Sequence, residues 1–209
     1  MKRRIRALVG ICCACLLLFG ASTHAQDLKK PMLLVAKPTL QGPYMQTALL
    51  AIPLGDKHIG FILNRATDLT LAKVFPEHTP SAKVVDPIYF GGPEAAGSIF
   101  ALVRRDPGGP SLQLLGDLFM TGNGRSIDRI IEQTPNDARY FAGFVGWMPE
   151  ELAGEIERGF WYVTDPDASL VFQKEPAGIW PELMRRLGKP TREPAQGELE
   201  TRLERPGAG

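Results

Sequence analysis

The stretch from Pro31 to Arg65 reads PMLLVAKPTLQGPYMQTALLAIPLGDKHIGFILNR. It contains three short apolar runs, at 32–36, 47–54 and 59–63, which are separated by Pro, Gly and Asp residues. Short apolar runs with such boundaries are typical of β-strands. The Gly-Asp pair at 55–56 predicts a hairpin, so we expect the second and third strands to be antiparallel neighbours.

Beyond residue 65 the chain alternates between predicted strands and helices. Further strands are predicted at 83–90, 98–105, 111–122 (with a break at Gly116-Asp117), 138–148, 160–164 and 168–173. Helices are predicted at 68–75, 123–133, 148–159 and 178–188. Because the helices are few and the hairpin signals cluster at the start, a regular parallel βαβ array does not fit. We therefore predict an α+β domain with a mixed, largely antiparallel sheet.

Two of the predicted helices carry clear local signals. In the helix at 123–133, Ile127, Ile130 and Ile131 form one apolar stripe. Ser126 is the favoured start residue of this helix, and Asn123 is the alternative cap. In the helix at 148–159, Pro149 suits the first helical position and the last residue is a glycine that can stop the helix.

The first 25 residues have the layout of a secretory signal peptide. Four positive residues precede an apolar run at 7–20, and small residues follow up to Ala25. The run is shorter than the roughly 20 residues that span a bilayer. We expect cleavage after Ala25, a periplasmic or secreted product, and no stable membrane anchor after cleavage. All three cysteines lie at 12–15, so the mature chain has no thiol nucleophile and no disulfide framework.

Removal of the signal peptide leaves 184 of the 209 residues, with 20 Lys and Arg against 23 Asp and Glu, a net charge of −3. A mildly acidic chain has no general attraction for nucleic acid, so we expect no nucleic-acid partner for the exported form. The length suits one domain, at 26–188. The segment 189–209 is rich in proline, glycine and charge, and we predict that it is a disordered tail.

Five motifs occur in the order and spacing of a known family. They are LLVAKPTLQGPYMQTALLAI (33–52), HIGFILNRATDLTL (58–71), PIYFGGPEAAGSIFAL (87–102), FVGWMPEELAGEIERGFWYVTDPDASLVF (144–172) and IWPELMRRLG (179–188). On these motifs the chain resembles the YqgE/AlgH family over nearly the whole of 32–188, and Gly-Gly-Pro at 91–93 is among the most specific parts. The resemblance implies an α+β fold whose bent, split sheet wraps into a pseudo-barrel with helices outside.

The same resemblance says little about activity. The family has no established reaction, and its frequent label, transcriptional regulator, comes from a member that affects alginate production. Most members lack a signal peptide, so this chain is identified as a divergent, exported member. Regulation of gene expression is the alternative that the family label offers.

The glycine-rich motif around 91–94 is the first candidate for a ligand or partner surface. A phosphate loop points several backbone N–H groups at an anion and is followed by a helix. Here Pro93 removes one N–H group, Glu94 adds a negative charge, and a strand follows. We therefore interpret Gly91 and Gly92 as part of a shaped turn or bulge between two strands.

Asn64 and Arg65 are the second candidate. They stand at the end of a predicted strand, where they could bind an anion or a peptide carboxylate. Asparagine is also common in loops because it tolerates turn conformations.

Glu151 and Glu155 are weak candidates for an acid/base pair. Their i, i+4 spacing places them on one helix face, but the neighbouring glutamates suggest a solvated acidic face. These two glutamates would carry the alternative of a carboxylate-dependent enzyme.

No other pattern indicates catalysis, a metal or a cofactor. The mature histidines, His58 and His78, lack the spacing of a metal-ligand set, and no serine lies in a Gly-x-Ser-x-Gly elbow. We expect no catalytic residues, no metal and no cofactor. The leading hypothesis is an exported, non-catalytic domain that binds a protein or small ligand.

Overall fold

The computed structural model describes residues 27–189. The predicted signal peptide at 1–25 lies outside these residues, as does the predicted tail beyond its first residue. The described part is an α+β domain with a nine-stranded, largely antiparallel sheet that curls into a half-barrel. This confirms the predicted α+β class and the bent, mixed sheet.

The secondary-structure elements within these residues are as follows. The strands are β1 Met32–Ala36, β2 Ala48–Leu54, β3 Lys57–Ile62, β4 Tyr89–Phe90, β5 Glu94–Arg104, β6 Leu112–Leu115, β7 Leu118–Thr121, β8 Ala138–Trp147 and β9 Trp161–Thr164. The α-helices are α1 Leu71–Val74, α2 Gly124–Gln133, α3 Glu151–Glu157 and α4 Ile179–Arg186. Short 3-10 helices cover Gly42–Tyr44, Thr79–Lys83, Ala168–Phe172 and Pro176–Gly178. Across 27–189, every helix is too short or too polar to cross a bilayer.

The first three strands form an antiparallel meander, in which the pairing of β2 with β3 was predicted. In the β2–β3 hairpin Leu54 lies opposite Lys57, and the two-residue turn between them contains Gly55 at φ +66°. This left-handed conformation suits glycine. β9 pairs with the outer edge of β1. All residues of β1 are buried, so the meander forms the centre of the larger core cluster.

β8 connects this meander to the rest of the sheet. Its last residues pair with β3, and its first half lies between β5 on one edge and β4 on the other. Phe141 of β8 is opposite Phe100 of β5 and also opposite Tyr89 of β4. Phe61 of β3 packs edge-on against Phe141 at a centroid distance of 5.4 Å. β5 continues into the antiparallel β7 and β6.

Helix α2 covers the sheet with the face that its sequence predicts. Ile127, Ile130 and Ile131 of α2 are buried in a second core cluster, together with residues of β5 and β8. Asn123 is the N-cap of α2, since its Oδ1 accepts the N–H of Ser126 at 3.1 Å. The favoured start residue, Ser126, is therefore wrong, and the alternative, Asn123, is the cap.

Two predicted strands differ in the structure. The strand predicted at 83–90 is reduced to Tyr89–Phe90, because a 3-10 helix occupies 79–83 and Pro87 has no N–H to donate to a ladder. The strand predicted at 168–173 is a 3-10 helix. Asp167 starts it by accepting hydrogen bonds from the N–H and the hydroxyl of Ser169, at 2.9 and 2.6 Å.

Two helix predictions also need correction. The helix predicted at 68–75 is a single turn, Leu71–Val74, which Thr70 caps. Pro149 is not the first helical residue of α3, which starts at Glu151. Glu150 between them has φ +69°, so the chain makes a left-handed turn before the helix begins. Gly159 follows α3 at φ +77°, consistent with the predicted stop.

Candidate functional site

The Gly-Gly-Pro segment at 91–93 carries the chain across β8. The strands on either side of it, β4 and β5, pair with opposite edges of β8, so the connection passes over the β8 backbone. A Cβ on Gly91 would overlap the carbonyl oxygen of Gly143, and a Cβ on Gly92 would overlap the backbone of Phe144. Glycine is therefore needed here because two backbones lie in direct contact.

This crossing leaves little room for an anion. The N–H of Gly91 donates to the carbonyl oxygen of Ala142 at 2.9 Å, and its own carbonyl oxygen accepts the N–H of Ile62 at 3.0 Å. Both glycines are buried, whereas Pro93 and Glu94 are exposed. The segment connects two strands, which is the structural interpretation that the sequence favoured over a phosphate loop.

Asn64 ties the end of β3 to the loop that precedes β2. Its Oδ1 accepts the N–H of Ala48 at 3.0 Å, and its Nδ2 donates to the carbonyl oxygen of Gln46 at 2.8 Å. Gln46 has φ +55°, so the amide of Asn64 stabilises a loop residue in an unfavourable conformation. The side chain thus has a structural role whatever else it contacts.

Arg65 lines an open cavity of about 430 Å³ next to this loop. One guanidinium nitrogen donates to the carbonyl oxygen of Met45 at 3.0 Å, and the side chain is half-buried. The opposite wall comes from Ala177, Trp180 and Pro181, at the start of α4. Arg65 is the one charged residue among the seven described residues that line the cavity. A guanidinium has five N–H donors, so a single carbonyl leaves donors for a ligand.

The carboxylate of Glu155 accepts hydrogen bonds from two indoles. Its Oε2 lies 3.0 Å from Nε1 of Trp147 and 2.8 Å from Nε1 of Trp161. Both tryptophans are buried, with 4% of each residue exposed. Glu151 is exposed, and its Oε2 accepts the N–H of Met148 at 2.7 Å before the start of α3. The carboxylate of Glu155 therefore ties α3 to the two tryptophans, and the carboxylate of Glu151 ties α3 to the backbone that precedes it.

Tyr44 brings two of the candidate residues into one neighbourhood. Its ring packs edge-on against Trp161 at 6.2 Å. Burial, and then the nearby carboxylates of Glu155 and Glu94, raise the pKa of the Tyr44 hydroxyl. Glu94 and Glu155 therefore both lie near Tyr44, although these two glutamates are 61 positions apart in the sequence.

The candidate residues therefore form two groups. Arg65 and Gly91 are joined through β4, because the carbonyl oxygen of Arg65 accepts the N–H of Phe90 at 2.8 Å. Glu94 and Glu155 both lie near Tyr44, whereas Glu151 is exposed at the start of α3, where it accepts the N–H of Met148.

The two histidines are half-buried and hydrogen-bonded. His58 Nε2 lies 2.8 Å from the carbonyl oxygen of Leu28, and His78 Nδ1 lies 2.8 Å from the hydroxyl of Ser81. Within residues 27–189, no group of three or more His, Cys, Asp or Glu side chains could hold a metal ion.

A second cavity, of about 390 Å³, was missed by the sequence analysis. It lies between α2, β5 and the 3-10 helix at 79–83, and His78, Ser81 and Asp128 line its polar part. The spacing of His78 and Ser81, three residues apart, is a weak local signal. Asp128 could not be assigned to it, because the helix that carries Asp128 is about 50 residues away in the sequence.

Comparison with known proteins identifies the family of this chain. The model of a family described as AlgH-like (DUF179) matches residues 33–192. A UPF0301 protein of Methylococcus capsulatus is 32% identical over 140 residues, covering 65% of this chain and 77% of that protein. A UPF0301 protein of Cytophaga hutchinsonii is 27% identical over 168 residues, covering 77% of this chain and 91% of that protein.

Two solved structures share the fold. A crystal structure of a protein from Corynebacterium diphtheriae is 26% identical, with a TM-score of 0.63 over 83% of this chain and 92% of that chain. The solution structure of AlgH from Pseudomonas aeruginosa is 23% identical, with a TM-score of 0.66 over 87% of this chain and 96% of that one. Because the family model matches most of this chain, the chain belongs to the AlgH-like family, as its motifs predicted.

Proposed function

We propose that this chain is an exported, non-catalytic binding domain that holds a protein or small ligand by a carboxylate at Arg65. The observation that supports the proposal is the cavity next to Arg65, in which a half-buried guanidinium faces apolar walls. Guanidinium groups bind carboxylates through paired, charge-assisted hydrogen bonds, which are stronger than bonds between neutral groups.

The shape and chemistry of the cavity favour the end of a peptide or a small acid over a large anion. Trp180 and Pro181 provide an apolar wall that suits a side chain, while Arg65 would hold the terminal carboxylate. The indole N–H of Trp180 donates to the carbonyl oxygen of Ala36 at 2.8 Å, so this wall is anchored to β1. A preformed wall lowers the entropic cost of binding.

Neither candidate carboxylate supports the enzymatic alternative. Glu155 binds two indole N–H groups through one oxygen, and Glu151 accepts a backbone N–H. A general acid or base needs a proton that it can exchange with a substrate, and these geometries serve the packing of α3 instead.

Binding can be tested with two matched peptides. An acetylated Ala-Ala-Leu tripeptide with a free carboxylate should bind the full chain, and its C-terminal amide should bind at least about tenfold more weakly. Titration calorimetry would give the affinities, and the indole N–H resonance of Trp180 would report the site.

Arg65→Gln should remove the preference for the free carboxylate, whereas Arg125→Gln should retain it, because Arg125 is exposed on α2 and does not line the cavity. Equal binding of acid and amide by the unaltered chain would refute the proposal, as would a preference that survives in Arg65→Gln.

The exported location needs its own test. N-terminal sequencing of the protein from separated cell compartments should find Gln26 as the first residue in the periplasmic or secreted fraction. A full-length product that starts at Met1 and stays in the cytoplasm would contradict export. It would then favour the alternative of a regulator of gene expression.

A further inference from the structure

The cavity between α2, β5 and the 3-10 helix at 79–83 has the properties of a small-molecule site. Its volume of about 390 Å³ is within the usual range of roughly 300 to 1,000 Å³ for ligand pockets. Apolar side chains form most of the wall, from Phe75, Ile99, Ile127 and Ile131. Phe75 is 43% exposed although it lies beside this wall, so apolar surface is left uncovered at the opening.

The polar groups are concentrated at one end of the cavity. The ring of His78 contacts the hydroxyl of Ser81 through Nδ1 at 2.8 Å, and its Nε2 lies 3.9 Å from Oδ1 of Asp128. The hydroxyl and one ring nitrogen thus satisfy each other. The carboxylate of Asp128 is the remaining strong acceptor, and 58% of this side chain is exposed.

Among the described residues, Asp128 has no lysine or arginine partner at the cavity. Within residues 27–189, no Lys or Arg nitrogen lies within 4.0 Å of its carboxylate, and no Lys or Arg lines the cavity. A ligand that placed a positive donor there would form a charge-assisted hydrogen bond.

We propose that this cavity binds a small molecule with an apolar body and a protonated amine. The body lies against the isoleucines of α2 and β5, and the ammonium group donates to Asp128 beside His78. This site is separate from the cavity at Arg65, which would bind the opposite charge, so either proposal can fail without the other.

The same three polar residues do not form a hydrolase triad. Ser81 is fully buried, with 0% of the residue exposed, so a substrate carbonyl could not reach its hydroxyl. The distance of 3.9 Å between His78 and Asp128 is also too long for the hydrogen bond that orients a catalytic histidine.

Three probes that differ only in the head group test the proposal. 4-Phenylbutylamine, 4-phenylbutanol and 4-phenylbutanoate would each be titrated into the full chain, with isoleucine methyl groups labelled for NMR. We expect shifts at Ile99, Ile127 and Ile131 and none at Ile52 or Ile62, which belong to the sheet meander. The amine should bind about two- to fivefold more tightly than the alcohol.

Two variants, with one control, test the carboxylate and the apolar part of the site separately. Asp128→Asn should bring the amine to the affinity of the alcohol, while Glu132→Gln, an exposed change one turn later on α2, should leave the difference intact. Ser98→Trp, at an exposed position that lines the cavity, should weaken the binding of all three probes.

Several outcomes would overturn the proposal. The first turn of α2 also lies at this cavity and would favour an anion, so tighter binding of the butanoate would assign the site to acids instead. Dissociation constants weaker than about 1 mM for all three probes would mean that the cavity is not a binding site. If Asp128→Asn kept the preference for the amine, the carboxylate of Asp128 would not be part of the binding site.

Discussion

The carbonyl oxygen of Gly92 lies where a Cβ on Gly143 would have to be. These two residues mark the point at which the connection between β4 and β5 passes over β8. Gly143 also has φ +68°, a conformation that L residues with a side chain rarely adopt. The crossing thus depends on contact between two backbones, and it requires glycine for steric and for conformational reasons.

Gly143→Ala should strongly destabilise the protein. The added methyl group meets the Gly92 backbone and forces a side chain into the left-handed region, which together should lower the free energy of unfolding by about 2–5 kcal/mol. Urea denaturation would measure the loss. Gly97→Ala is the matched control, because Gly97 is exposed in β5 and a Cβ there would meet no atom within 4 Å. A similar stability for both variants would contradict the requirement for glycine at position 143.

Glu155→Leu should leave two buried indole N–H groups without an acceptor. Unsatisfied buried donors cost about 1–3 kcal/mol each, so we expect the two indoles to lower the free energy of unfolding by about 2–6 kcal/mol. Glu155→Gln retains an acceptor oxygen and should lose less. Tryptophan fluorescence during urea denaturation would follow both. Glu157→Leu, an exposed change on the same helix, should have little effect. Equal losses for Glu155→Leu and Glu157→Leu would contradict this role.

The ion pair between Arg139 and Asp86 should respond differently to the loss of each partner. The guanidinium of Arg139 is buried, with 4% of the side chain exposed, whereas 43% of Asp86 is exposed. Asp86→Ala leaves the buried guanidinium of Arg139 with one remaining hydrogen bond, to the carbonyl oxygen of Gln173 at 2.8 Å. Arg139→Met leaves a carboxylate that water can reach.

We therefore expect Asp86→Ala to cost about 2 kcal/mol more than Arg139→Met in thermal or urea unfolding. The Nε of Arg139 has no hydrogen-bond partner within the described residues, which makes the arginine easier to replace with an apolar side chain. The reverse order of stabilities would refute this assignment of the buried charge.

Stability should fall at alkaline pH because of buried tyrosines. Burial raises the pKa of the Tyr140 hydroxyl above its ordinary value of 10.0. The folded chain therefore holds this proton more tightly than the unfolded chain. Its contribution to stability is complete below the unfolded pKa and is lost as the pH rises above it. Tyr44 and Tyr89 have pKa values shifted in the same direction, mainly by burial.

Tyr140→Phe should flatten this alkaline loss. At neutral pH the variant should be less stable by up to about 1 kcal/mol, because the hydroxyl donates to the carbonyl oxygen of Pro135 at 3.2 Å. Between about pH 9 and 11 the difference from the unaltered chain should shrink. A constant difference across this range, measured by urea denaturation, would show that Tyr140 does not titrate with unfolding.

The elements with strong local signals could be predicted from the sequence. The isoleucine stripe of α2, the turn at 55–56 and the continuous apolar run of β8 each reflect a periodicity or a turn residue within a few positions. The prediction of a strand at 168–173 was wrong, because a short apolar run is equally compatible with a strand and with a buried turn of helix. The hydrogen bonds of Asp167 with Ser169 decided that case.

The candidate site could be predicted only in part, for a similar reason. Asn64 and Arg65 stand at a strand end, which the sequence shows, but Trp180 completes their cavity from a helix more than 100 residues later. The crossing at 91–93 was equally hidden, since β4 has two residues and its partner, β8, is about 50 residues away. Contacts between distant segments have no local signature.

The position of β8 also has a consequence for the order in which the protein folds. β1, β2 and β3 form a local meander, and β5, β7 and β6 pair among themselves through short connections. These two units can form early, because closing short loops costs little entropy. They become one sheet only when β8 pairs with both of them. In a nascent chain that ends before Ala138, the edges of β3 and β5 that pair with β8 are therefore open, and the outer edge of β1 still lacks β9. Completion of β8 therefore covers the two edges in the middle of the sheet and lowers the tendency of the emerging chain to aggregate.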